Sequence, residues 1–301
     1  MQGQMRNVCF AVMASAVLLI RPVAAQDVHG DSSTSYNRVL LTAAGMGTVY
    51  AASMTGLYTL WYKDYPQSSF HFFNDNEEWM QMDKMGHVGS AYYLTNWGTA
   101  LFKNAGMESK KSAWTGGLSA MLFLTTVEVF DGYSDQWGFS YGDMAANAAG
   151  VSLSIWQQLR WQEQRIQIKF SFSQSPYAKY RREQLGSNYQ EQMFKDYNGQ
   201  TYWVSGNIAS FCRTDSRFPK WLNVAVGYGV DGLTGARGNI AGTESFKRSR
   251  QFYLAPDIDL TRLPIKSRFL KTVCGAIGFI KFPLPAVEIG DGGVKGKWVE
   301  F

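Results

Sequence analysis

Cysteine and histidine are scarce in this chain of 301 residues, at three each. Cys9, Cys212 and Cys274 form no CxxC pair and no Cys/His cluster, which excludes a structural zinc site and a thioredoxin-like centre. There is no internal repeat and no low-complexity tract. Long hydrophobic runs are few as well: the mean hydropathy is −0.21, too low for a conventional polytopic membrane protein. A strong nucleophile motif is also missing. Gly138-Phe139-Ser140-Tyr141-Gly142 fits G-x-S-x-G, but no clear strand precedes it, as a nucleophile elbow requires.

What is present begins with an export signal. Residues 1–25 carry Arg6, an apolar core over residues 11–20, and the small-residue site Val23-Ala24-Ala25 before Gln26. The alternative is a retained membrane anchor, with Arg21 following the apolar core. Cys9 has no lipobox-like sequence before it, so a lipid anchor is not expected. Export leaves Cys212 and Cys274, which an oxidising compartment would allow to pair; nothing in the sequence shows that they meet. An exported location, in the periplasm or at the outer membrane with the inner membrane as an alternative, makes nucleic acid an improbable partner.

Charge divides the mature chain. Residues 26–160 hold 7 Lys+Arg and 12 Asp+Glu, a net of −5, whereas residues 161–301 hold 20 and 12, a net of +8. Such asymmetry points to two regions in two environments. A basic exported region suits anionic lipid headgroups. Scattered solvated charge explains the same numbers.

After a polar, flexible leader at 26–37 come four apolar segments: 39–62, 83–103, 113–130 and Tyr141–Trp161. All are rich in Gly, Ala, Ser and Thr, which let helices approach closely. Past Trp161 the period becomes two. Ile166, Ile168, Phe170 and Phe172 alternate with polar residues, and Leu222, Val224, Val226, Tyr228 and Val230 alternate again. Weaker strands are expected near 201–211, 250–254 and 258–260, with Pro256, Pro264, Pro283 and Pro285 punctuating the rest. The expected fold is α+β. A bundle of about four apolar helices (38–162), membrane-embedded, pressed against a bilayer or soluble, precedes a basic region with short antiparallel strands (163–301).

Seven polar residues stand out against the apolar helices. Asp83 and His87 are four apart, as are Asp143 and Asn147; Glu128 and Asp131 close the third apolar segment, and Lys84 follows Asp83. Residues three and four apart share a helix face. Carboxylates and an imidazole are costly to bury without partners. His87 with Glu128, Asp131 or Asp143 makes a candidate acid–base set, with Asp83, Lys84 and Asn147 supporting it. His87, Glu128 and Asp143 are equally candidate ligands for a divalent metal, and no other cofactor is expected. The same residues also serve structure: Asp83 and Asp143 suit helix starts, and His87 suits the centre of a buried hydrogen-bond network. Asn198-Gly199 reads as a turn.

Asp83-Lys84-x-x-His87, Glu128-x-x-Asp131 and the run from Trp137 through Asp143 and Asn147 to Gly150 resemble the YfiM-like family of exported and lipoprotein-type envelope proteins. More distantly, they are similar to the VanZ-like membrane proteins. The resemblance covers residues 80–160. Segments 196–203 and 218–223 look like those of longer YfiM-like members. The resemblance implies an envelope protein of no settled activity, and this chain departs from lipoprotein members by lacking the lipobox cysteine.

Three function classes follow. The first is an envelope structural protein that contacts membrane lipids or another envelope protein. The second is a membrane-interface hydrolase or transferase acting on a lipid or glycan headgroup through His87 and the acids. The third is an outer-membrane β-barrel, suggested by the alternating strands and the terminal Phe301. About five short strand candidates stand against the ~8 that a barrel needs.

Overall fold

The computed structural model describes residues 32–63, 65–212 and 218–300. The expected signal (1–25), His29, Cys9 and Phe301 lie outside the described residues. The fold is mixed α+β with one antiparallel six-stranded sheet. Two compact units make it up: one runs to Asp75 and takes in Ser90–Gln164, and the other holds Asn76–Gly89 and everything from Arg165.

The first, helical unit holds the long helices. Helix α1 is Ser32–Leu57 and ends in the π-helical turn Tyr58–Tyr62. It begins inside the stretch expected as a flexible leader. Helix α2, Met82–Asn104, belongs to this unit from Ser90 onward. Helices α3 (Ser109–Gly132) and α4 (Tyr141–Trp161) complete it. Small residues set the spacing. A Cβ on Gly98 of α2 would stand 2.9 Å from the Gly116 Cα of α3, and one on Gly116 would meet the Thr99 backbone nitrogen at 2.5 Å. Ala91, Ala120, Leu124, Val151 and Ile155 fill the core around that crossing. Helix α1 joins α3 through Tyr50 Oη and Thr126 Oγ1, 2.8 Å apart.

The loops of this unit are clasped by aromatic residues. Phe73 N donates to the Phe139 carbonyl and Phe139 N to that of His71, each at 3.0 Å. Phe72 stacks on Tyr141 with ring centroids 4.8 Å apart. His71 Nε2 donates to the Trp137 carbonyl at 2.6 Å, so this histidine is a loop fastener.

In the sheet unit, strands β1 (Ile166–Phe172), β2 (Gln200–Asn207), β3 (Leu222–Asp231), β4 (Ser249–Ile258), β5 (Leu284–Gly290) and β6 (Gly293–Glu300) pair in chain order. The longer helices between them are α5 (Tyr189–Lys195) and α6 (Arg268–Ile277). The meander curls. Phe170 N donates to the Phe279 carbonyl at 2.7 Å and Lys281 N to the Phe170 carbonyl at 2.9 Å, so the segment leading into β5 lies along the free edge of β1. Trp203, Ala225, Tyr253, Ala255 and Ala286 pack inside the curl. Gly227 sits directly opposite Trp203, where an added Cβ would come within 2.7 Å of the indole.

Strands β5 and β6 correct the expectation that prolines break up the C-terminal region. Pro285 falls at a register irregularity between Leu284 and Ala286, where the ladder needs no donor. Pro256 pairs with Val224 on one side, beyond the 251–254 stretch of β4 that pairs with β5. The weak strand expected at 250–254 runs on to Ile258 as β4, whereas Leu260, expected in a second strand at 258–260, opens a 3₁₀ turn at Leu260–Arg262. Residues 208–211 turn into a short helix instead of extending β2.

Asn76–Gly89 belongs to the sheet unit. Trp79 and Met82 pack with Ala178, Leu185, Val230 and Leu233. Trp79, Met80 and Gln81 all hold positive φ, a conformation costly for residues with a Cβ. Neighbours hold this turn: Trp79 N donates to the Ala236 carbonyl at 2.8 Å, Tyr228 Oη to the Met80 carbonyl at 2.5 Å, and Arg250 Nη2 to Gln81 Oε1 at 2.7 Å.

Candidate functional site

The candidate polar residues fall into two sets, one in each unit. Asp83, Lys84 and His87 lie on the first turns of α2, within the sheet unit. Glu128 and Asp131 at the end of α3, with Asp143 and Asn147 on α4, lie in the helical unit. Of the three residues that sequence offers to a metal, His87 belongs to the sheet unit, and Glu128 and Asp143 belong to the helical unit.

In the sheet unit the four-residue spacing does what a helix dictates. His87 Nε2 stands 3.8 Å from Asp83 Oδ2, and Lys84 Nζ lies 3.8 Å from the same oxygen. Both are ion-pair distances rather than direct hydrogen bonds. The other carboxylate oxygen is better held: Tyr197 Oη donates to Asp83 Oδ1 at 2.8 Å. Tyr202 borders the group, and its phenol is pushed well above its usual value by burial and then by the negative charge of Asp83. Gly86 leaves room for it, since a Cβ there would stand 3.0 Å from the Tyr202 hydroxyl. Asp83 is thus a carboxylate facing an imidazole, an ammonium and two phenols. That arrangement can orient His87 for proton transfer, and it can equally lock the start of α2.

In the helical unit the acids gather around the start of α4. Glu128 is 1% exposed, and its Oε2 accepts from Ser140 N at 3.3 Å. Ser140 Oγ donates to Asp75 Oδ1 at 2.6 Å and accepts from Asp143 N at 3.1 Å. Ser140 is therefore the N-cap of α4, engaged on both sides of its hydroxyl. The serine of the G-x-S-x-G run thus has a structural task at the start of α4. Asp131 Oδ1 accepts from Tyr62 Oη at 2.6 Å. Burial pushes the Tyr62 phenol far above its ordinary value, and the charges of Asp131 and Glu128 add to the effect. Asn147 is fully buried one turn after Asp143.

Tyr62, Asp75, Tyr197 and Tyr202 were not foreseen. Each contacts its partner across a long sequence separation, 69 residues for Tyr62–Asp131 and 114 for Tyr197–Asp83, which no local spacing reveals. Asn198 forms the expected turn and also clamps Leu233, accepting from its nitrogen at 2.7 Å and donating to its carbonyl at 2.8 Å. Cys212 and Cys274 are both free thiols.

Residues 71–158 match the model of a family described as "Predicted periplasmic lipoprotein (DUF2279)". The match supports an exported envelope protein of uncharacterised activity. It takes in under a third of the chain, yet it contains both polar sets whole, together with Asp75 and Ser140. The sheet, from β1 to β6, lies outside the DUF2279 segment. No curated protein and no solved structure matches the chain.

Proposed function

We propose that this is an envelope-associated protein with a structural role that contacts membrane lipid, and that its DUF2279 segment is of the YfiM-like type. The reading is carried by α1. Residues Ser35–Leu57 are long and apolar enough to cross a bilayer, yet only 11% of that apolar window is buried inside the protein. The helix Ser109–Gly132 passes the same test of length and composition, with 33% buried. Water-soluble proteins rarely leave contiguous apolar surface of that extent uncovered. In this reading Glu128, Asp131, Asp143 and Ser140 fix the helix ends, and Asp83 with His87 fixes the start of α2. The test is flotation of the mature chain with phospholipid vesicles. Recovery with the floating lipid supports the reading; recovery in the dense fraction in every lipid mixture overturns it.

A second reading is favoured by one observation, the Asp83 carboxylate held by Tyr197 and facing His87 and Lys84. It makes the protein a hydrolase or transferase on a lipid or glycan headgroup, with His87 as base and Asp83 orienting it. Envelope lipids and peptidoglycan fragments are profiled in cells with no copy, the native copy or a His87→Ala copy. A product restored only by the native chain supports catalysis, and identical profiles leave the structural role.

A further inference from the structure

Beside its small apolar core, the sheet turns polar and charged residues inward and apolar residues outward. Across the strands, Lys169, Trp203, Gly227, Tyr253 and Glu288 stand in register on one face, as do Asn207, Asn223 and Asp257. This face is the inside of the curl, and it carries charge: Lys169, Asp257 and Glu288 are all buried. Its polar atoms are joined together. Ser205 Oγ donates to Asp257 at 2.6 Å, Asn223 Nδ2 to Ser205 at 2.8 Å, and Asn207 Nδ2 to Asn223 at 2.7 Å. The opposite face carries the apolar rows Tyr202–Tyr228–Phe252–Ile289–Val294 and Val204–Val226–Leu254–Val287. Tyr228 and Val230 at the end of β3 pack against the Trp79–Met82 core, but from the middle of β3 to β6 this face is open: Val226 is 54% exposed, Leu254 49%, Ile289 49% and Trp298 89%. A solvated sheet face is normally polar. Apolar residues outward and polar residues inward is the alternation of strands that meet hydrocarbon.

A second observation indicates what covers this surface. Helix α6 exposes Phe269, Leu270 and Ile277, and the chain leaving it exposes Ile280 and Phe282 on the way into β5. Lys266, Arg268 and Lys271 are exposed beside this apolar stripe. An apolar stripe bordered by cations is the pattern of a helix lying in the headgroup boundary of an anionic membrane.

We infer that the outer face of β3–β6, together with α6, is a docking surface for an anionic phospholipid bilayer. Its apolar side chains enter the acyl boundary, and Lys266, Arg268 and Lys271 meet headgroup phosphates. Strands β1, β2, β5 and β6 have seven or eight residues, short of the roughly 9–11 a spanning strand needs, so the face lies against the bilayer without crossing it. The inference deepens the membrane-contact reading and rests on it.

The test uses the mature chain with Cys212→Ser and Cys274→Ser, carrying one environment-sensitive fluorophore on a new cysteine at Leu254→Cys, Ile289→Cys or, as a control, Glu244→Cys. Phosphatidylglycerol-containing vesicles should shift emission at 254 and 289 to the blue and leave 244 unchanged. The Lys266→Glu, Arg268→Glu, Lys271→Glu variant, checked for native circular dichroism, should bind such vesicles more weakly by at least roughly fivefold per basic residue replaced. Water-like emission at 254 and 289 on protein that floats with the vesicles overturns this face and leaves membrane contact through another part. No flotation at all overturns both readings. Equal affinity for purely zwitterionic vesicles overturns the anionic selection, and a concentration-dependent blue shift without lipid overturns the inference in favour of a second copy of the chain.

Discussion

Lys169 Nζ stands 2.7 Å from Asp257 Oδ2, and both side chains are sealed from solvent. The two residues sit on β1 and β4, with β2 and β3 between them in the sheet, so the pair ties opposite walls of the curl. Lys169 also donates to the Ile258 carbonyl at 2.7 Å. Removing one charge strands the other in a low-dielectric interior, while removing both does not. Lys169→Met is expected to destabilise the sheet by about 3–5 kcal/mol, and the pair Lys169→Met with Asp257→Leu to recover most of that loss. Denaturant midpoints of the native chain and the two variants check this.

Close helix approach gives a second contrast. Gly116→Ala forces a methyl against the Thr99 backbone, which cannot yield without moving α2. A loss of about 1–3 kcal/mol is expected for such overpacking. Gly45→Ala on α1 meets nothing within 4 Å and should be stabilising by up to about 1 kcal/mol through helix propensity. Thermal unfolding of both variants decides.

The end of α4 offers a gain. Gln162 is exposed at the C-cap with φ 59, a left-handed conformation that glycine adopts without a Cβ clash. Gln162→Gly should stabilise by about 1 kcal/mol, seen as a higher melting temperature.

Tyr62 makes stability depend on alkaline pH. Its folded-state pKa lies above the unfolded value because burial and Asp131 both oppose the phenolate. The unfolded chain therefore loses this proton first as pH rises past about 10. The stabilisation is complete below that pH and declines above it. Tyr177, pushed up to about 12 by burial and by Asp231, acts in the same direction. Tyr62→Phe should flatten the fall in denaturant midpoint between neutral and alkaline buffer, and an unchanged slope would count against the Tyr62–Asp131 bond.

Local pattern made part of this molecule legible. Alternation in 166–172 and 222–230 marks β1 and β3, and the spacing of Asp83 with His87 and of Asp143 with Asn147 places each pair on one helix face. Strands β5 and β6 were hidden because Pro283 and Pro285 suggest a break, and only the register irregularity shows how the ladder accommodates Pro285. The place of Asn76–Gly89 in the sheet unit was hidden as well, because it depends on Trp79 and Met82 finding Leu185 and Leu233 far along the chain. The alternation that suggested a barrel is real and its outward face is apolar; the described strands form a six-stranded meander with β6 at an edge. The acids near Ser140 were visible as residue types, whereas their tie to Tyr62 and Asp75 arises only from tertiary packing.

The most direct test of the central claim is fractionation of cells expressing the native chain, with the membranes washed at high salt. Retention in the washed membrane fraction is the result expected of a protein that presents α1 and the outer sheet face to lipid. Release of the whole population into the soluble periplasmic fraction would contradict it.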